Sequence, residues 1–231
     1  MIISRTPFRV SFVGGGTDLP SFYRKTEGRV LSCAINKYLY VVVKKQLGIV
    51  EYKYRVNWSK VELSNEIDGL EHPIVREALR LLKIDFPIEI TTFAEVPPNT
   101  GLGSSSTFAV GLLHALHALS GRYVSKAQLA REASEIEIEI MQSPIGRQDH
   151  YAASYGNLNS YVFNNDHTVN VEPVLYSKQI LRELEASLAM FYTKVKRPAS
   201  ELLKEQKERT MENIETLINM KIGRASCRER V

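Results

Sequence analysis

Cysteine is scarce: Cys33 and Cys227 are the two in 231 residues. They form neither a disulfide framework nor a metal-ligand spacing, a usage suited to a reducing cytoplasm. No apolar run is long enough to cross a bilayer and no signal-peptide pattern opens the chain. A cytoplasmic protein without a membrane partner is therefore expected. Internal repeats and low-complexity tracts are missing too. His114 and His117 have neither metal spacing nor a nucleophilic partner, so packing is their expected role. The formal charge is +4, but three arginines and one glutamate of the last ten residues, "IGRASCRERV", supply half of it. That string breaks the preceding helical pattern, and residues 222–231 are expected to be a non-native tail. Without interleaved aromatic and basic residues, nucleic acid is not an expected partner.

What the sequence does contain is a dense bend, "EVPPNTGLGSSSTFAVGLLHAL", residues 95–116. The alternating "PIEITTFAEV" before it reads as a strand. The apolar and small-residue run from Thr107 to Leu119 after it reads as a helix. A strand that stops at Pro97-Pro98 and turns on Gly101 and Gly103 delivers the chain to a helix start, where backbone N–H groups lack partners and the dipole is positive. Ser104, Ser105 and Ser106 add hydroxyls, so the bend is a candidate phosphate site. No Walker lysine follows it. As a dinucleotide loop it is degenerate, with Ser106 at the third glycine position and a late place in the chain.

Around the bend, residues 1–13, 29–43, 49–56 and 88–96 read as strands and 72–83 as a short helix with Pro73 in its first turn. Ser125 and Gln128 make a capping box that opens a helix to about Gln142. "RQDHYAASY" reads as a helical run, with strand-like segments between 157 and 175. A helix, a strand "LAMFYT" and a long helix over about 198–220 follow.

Three carboxylates stand out. On a helix, Glu137 in "SEIEIEIMQ" shares an apolar stripe with Ala130, Ala133 and Met141, whereas Glu135 and Glu139 align with a polar face. An inward glutamate needs a cation or hydrogen bonds, so a salt-bridged glutamate and a cation ligand both remain open. Asp149, at a helix start after a Pro/Gly break, fits either an acceptor of a hydroxyl proton or a first-turn aspartate facing the dipole. Asp18 in "GGGTD" could accept sugar hydroxyls or serve as a turn residue. Arg9, after Pro7, is a candidate phosphate contact.

The order "PFRVSFVGGGTD", "PPNTGLGSSS", "GRQD" resembles the GHMP kinases. The likeness runs to about Met220. It is closest to the sugar-kinase branch containing D-glycero-D-manno-heptose 7-phosphate kinase, through "SRTPFRVSFVGGGTDLPSFY", "HPIVREALR", "GLGSSSTFAVGLLHAL" and "KRPASELLKEQ". The resemblance implies a two-domain α+β fold. Residues 1–175 would form the N-terminal ATP-binding domain, and 176–221 the start of an incomplete C-terminal domain. It implies ATP and Mg²⁺ as cofactors and a small sugar phosphate as acceptor, phosphorylated at the anomeric hydroxyl.

By that resemblance Pro98, Gly101, Leu102, Gly103, Ser104, Ser105 and Ser106 wrap the ATP phosphates, and Ser105 and Glu137 ligate the metal. Asp149 and Arg9 are the catalytic residues, while Gly15, Gly16, Thr17, Asp18 and Arg197 bind the sugar phosphate. Gly15 and Gly16 replace the Glu-His pair of galactokinase, which enlarges the sugar end. His150 stands where this branch more often has glutamine. A fucokinase- or galactokinase-like hexose kinase and an inactive nucleotide-binding fragment are the alternatives. The sequence leaves oligomeric state open.

Overall fold

A computed structural model describes residues 1–47, 49–192 and 215–219. Seven strands form one mixed sheet: β1 (Ile2–Val13), β2 (Gly28–Lys45), β3 (Tyr54–Asn57), β4 (Val61–Ser64), β5 (Ile88–Ala94), β6 (Leu158–Phe163) and β7 (Val169–Pro173). The path runs β4-β3-β5-β2-β6-β7, and β1 pairs with β2 as well. The 18-residue β2 makes this possible. Residues 31–43 pair antiparallel with β1, 39–45 with β5 and 28–33 with β6. Pairs β3 and β5 run parallel.

The helices are α1 (Pro20–Tyr23), α2 (Pro73–Leu81), α3 (Ser104–Leu119), α4 (Lys126–Ser134), α5 (Gln148–Tyr155) and α6 (Lys178–Ala186). Helix α3 packs on β1 and β2 and is buried over most of its circumference. Its Gly111 lets Ser4 and Thr6 of β1 come close, and Ser4 Oγ donates to the Gly111 carbonyl at 2.7 Å. The main core, with Phe8, Val41, Ile90, Leu112, Leu116 and Ile136, lies between this helix layer and the sheet. A second cluster joins Tyr23, Tyr151, Tyr161 and Phe163. Helices segregated from a mostly antiparallel sheet make the expected α+β class.

Several boundaries differ from expectation. The strand expected over 49–56 is confined to Tyr54–Asn57 and is followed by the unforeseen β4. Ser125 Oγ caps α4 by accepting from the Gln128 N–H, as its pattern predicts. That helix does not run evenly to Gln142, however: Glu135–Ile140 forms a π-helical turn, with the Met141 N–H donating to the Ile136 carbonyl at 2.9 Å. Residues 188–192 of the expected "LAMFYT" strand are not extended into a ladder. Of the helix expected over 198–220, residues 215–219 are described and helical. Arg197 and the tail over 222–231 lie outside the described residues.

Candidate active site

The bend lies against β1. Between Pro7 and Arg9 the β1–β2 register slips. Such an irregularity re-aims a side chain: Phe8 enters the core and Arg9 turns toward the bend. The Arg9 guanidinium then makes three contacts. Nε and Nη2 reach Asp149 Oδ1 at 2.8 and 2.6 Å, and Nη1 donates to the Gly101 carbonyl at 2.7 Å. Asn99, Gly101 and Gly103 all have positive φ, which folds the bend back before α3 begins at Ser104. No side chain caps that helix start, so its first-turn amides remain available to an anion.

Gly103 is where the bend meets Asp149. It sits at φ +76°, and a Cβ there would lie 3.1 Å from Asp149 Oδ2 and 3.2 Å from its carboxyl carbon. Asp149 stands in the first turn of α5 with its side chain partly exposed. Arg9 thus ties the catalytic candidate to the bend across 140 residues of sequence.

Glu137 approaches the same bend from the π-helical turn. It is 2% exposed. Its Oε2 lies 2.8 Å from His150 Nε2, and the Ser105 and Ser106 hydroxyls help to stabilise its charge. Burial opposes the charge, but the His150 bond and charge and the two serine hydroxyls outweigh it and hold the carboxyl below its ordinary range. Widening the helix at 135–140 buries Ile136 and Glu137 side by side, one in the core and one at the bend. Ser105 and Glu137 are oxygen donors of the kind magnesium takes, which binds through one or two carboxylates plus substrate phosphates. Among the described residues no group of three or more His, Cys, Asp or Glu could hold a metal alone. The donor set therefore fits a cation shared with a nucleotide rather than one caged by protein.

Asp18, expected either to accept sugar hydroxyls or to serve as a turn residue, is enclosed by the loop around it. It is 2% exposed. Oδ1 accepts from the Gly16 N–H at 3.1 Å and Gln148 Nε2 at 3.2 Å, and Oδ2 from the Gln148 N–H at 3.0 Å. A Cβ on Gly146 would fall 1.9 Å from Oδ2. In this arrangement Asp18 anchors the loop that presents Asp149. Burial first, and the Asp149 charge as well, raise its pKa to about 6. Thr17 is likewise internal, donating to the Gly14 carbonyl at 2.7 Å and accepting from the Arg29 N–H. Gly16 is buried, whereas nothing lies within 4 Å of a Cβ placed on Gly15, so the open space at this end is there. Gln148, fixed by Asp18 and by Ser11 Oγ at 2.7 Å, and His150 were not singled out for function by residue pattern. Their one sequence signal is that both flank Asp149 in "GRQDHY". His117 is buried and paired with Glu132 at 2.7 Å, while His114 is exposed.

Residues 73–157, which include the bend, Glu137 and Asp149, match the profile described as GHMP kinases N terminal domain. The chain is 30% identical over 215 residues to D-glycero-alpha-D-manno-heptose 7-phosphate kinase of Campylobacter jejuni, covering 89% of this chain and 63% of that protein. Residues 73–157 belong to the family of GHMP kinase N-terminal domains. A galactokinase of Pyrococcus furiosus is 26% identical to this chain over 239 residues, covering 99% of it and 62% of the relative. The chain thus spans just over three fifths of the length of these two curated relatives. The crystal structure of a D-glycero-D-manno-heptose 1-phosphate kinase from Bacteriodes thetaiotaomicron superposes with TM-score 0.75 at 27% identity, over 96% of this chain and 75% of the other.

Proposed function

We propose that this chain carries the nucleotide half of an ATP-dependent sugar kinase, whose acceptor is D-glycero-D-manno-heptose 7-phosphate at its anomeric hydroxyl. The observation that carries this reading is the meeting of Asp149 with the serine bend, joined by Arg9. Phosphoryl transfer asks little covalent chemistry of a protein and depends on positioning and electrostatics. The amides and hydroxyls of Ser104, Ser105 and Ser106 hold the phosphate tail, with Pro98 to Gly103 shaping the turn. Ser105 and Glu137 would hold magnesium, which when bound neutralises charge on the phosphate oxygens. Arg9 occupies Oδ1 of Asp149, leaving Oδ2 as the oxygen facing the bend. Asp149 through Oδ2 orients the acceptor hydroxyl and takes its proton as the phosphoryl group arrives. Arg9 supplies positive charge beside the reacting centre. Asp18 and Gln148 keep the Asp149 loop in register, and the open space at Gly15 receives the sugar.

The choice of heptose rests on the similarity to the Campylobacter jejuni enzyme and on the two glycines at the sugar end. The two heptose kinases differ in name over which phosphate the sugar already carries, so a substrate panel is the test. ADP release is measured with heptose 7-phosphate, heptose 1-phosphate, galactose and fucose. Turnover on heptose 7-phosphate supports the proposal; turnover only on free hexoses replaces it with a galactokinase- or fucokinase-like activity.

A further inference from the structure

Three separate elements converge on one buried carboxylate, and the contact supplied by α5 has no part in the reaction as described. His150 follows Asp149 on α5 and is 0% exposed. Its Nε2 lies 2.8 Å from Glu137 Oε2, across 13 residues of sequence and between two elements. Its other nitrogen, Nδ1, is buried and has no hydrogen-bond partner. A carboxylate oxygen is the acceptor in this contact, so Nε2 carries a proton and donates. A ring buried merely to fill space would gain from being wholly apolar, because an unpaired buried polar atom is unfavourable. The bond to Glu137 is what this ring contributes in return.

The Ser105 and Ser106 hydroxyls at the start of α3 also stabilise the Glu137 carboxylate. Ser106 is buried, whereas Ser105 is exposed. The carboxylate is thus held by the imidazole of α5 and stabilised by the serine hydroxyls of α3. Without the imidazole, the side chain would be free to rotate among staggered positions in the widened turn. A cation shared between Glu137 and a phosphate would then have to immobilise the carboxylate itself, at a cost in affinity.

We propose that His150 is a positioning residue for divalent-cation binding: its Nε2–H holds the Glu137 carboxylate pre-aimed at Ser105, where the cation enters with the nucleotide. This rests on the kinase reading above. A glutamine at 150 would extend an N–H donor about as far as the imidazole does. An asparagine has the same donor on a side chain one methylene shorter and falls short of Glu137. Leucine keeps bulk and lacks a donor.

The test uses the full chain with Mn²⁺ as the probe. Free Mn²⁺ is followed by electron paramagnetic resonance during titration in the presence of a saturating non-hydrolysable ATP analogue. Binding of the same analogue in EDTA is measured separately by calorimetry. His150→Leu and His150→Asn are expected to weaken Mn²⁺ binding about tenfold or more, and His150→Gln by less than about threefold. Analogue affinity in EDTA should stay within about twofold for all three. Should His150→Leu not fold, the asparagine–glutamine pair carries the same test, because both are polar and differ only in reach. Wild-type Mn²⁺ affinity in His150→Asn overturns the proposal. So does an equal loss of analogue affinity in EDTA, which would mean that the ring supports the bend as a whole. A wild-type chain that binds no analogue overturns the kinase reading itself, a result distinct from either.

Discussion

Asp18 carries a charge that the fold disfavours, and its consequence is a specific pH dependence of stability. Its carboxyl is ordinarily near 3.8 and is raised to about 6 by burial and, to a smaller extent, by Asp149. Between those values the folded chain holds a proton that the unfolded chain has released. Each unit rise in pH then favours unfolding by about 1.4 kcal/mol, and the whole gap is worth about 3 kcal/mol. The contribution is fully present below pH 3.8, disappears as pH rises to 6, and is flat above that. Glu137 has the opposite sign, but it is held below its ordinary 4.5 and acts at lower pH. Burial lowers the pKa of His72, which works against Asp18 as the pH falls below 6.5. The observable that cancels His72 is the difference between wild type and Asp18→Asn. Urea unfolding, followed through Trp58, the one tryptophan, should show the variant gaining about 2 kcal/mol on wild type between pH 4.5 and 6.5. A flat difference, or a gain by wild type, would refute the view of Asp18 as a buried internal anchor.

Three substitutions test the rest of the site. Arg9→Lys keeps the charge but not the fork that serves Asp149 and Gly101 together, and kcat should fall about ten- to a hundredfold, the worth of one lost charge-assisted bond. Gly103→Ala introduces a Cβ at φ +76° and 3.1 Å from Asp149; unfolding free energy should drop by about 1 kcal/mol and kcat by about tenfold, with little change in KM for ATP. Gly146→Ala drives a Cβ into the Asp18 carboxylate and should cost about 2 kcal/mol in urea unfolding, as overpacking does. An unchanged melting midpoint there would mean that the Asp18–Gln148 contact is dispensable.

Much of the bend could be read from its residue types. Paired prolines, two glycines and three serines between a strand pattern and an apolar run describe a strand–turn–helix junction, and β5 and α3 flank it. The inward stripe of Glu137 was visible at helical spacing, but the π-helical turn was not, because alternating glutamate and isoleucine is compatible with strand, α-helix or a widened turn. Strand pairing was also hidden: β2 meets three partners along its length, a matter of length and tertiary fit rather than local propensity. Asp18 was ambiguous for a related reason. A carboxylate in a glycine turn has the same appearance whether it faces a ligand or a loop 130 residues away, and the loop that claims it is brought there only by the fold.

The central claim is that the serine bend holds a nucleotide's phosphates through a cation shared with Glu137, and its most direct measurement is a calorimetric titration of the chain with ATP, with and without Mg²⁺. Mg²⁺ should strengthen ATP binding at least about tenfold in wild type, and Glu137→Gln should abolish that enhancement while leaving metal-free binding intact. ATP binding that is indifferent to Mg²⁺, or an enhancement that survives Glu137→Gln, would contradict the account.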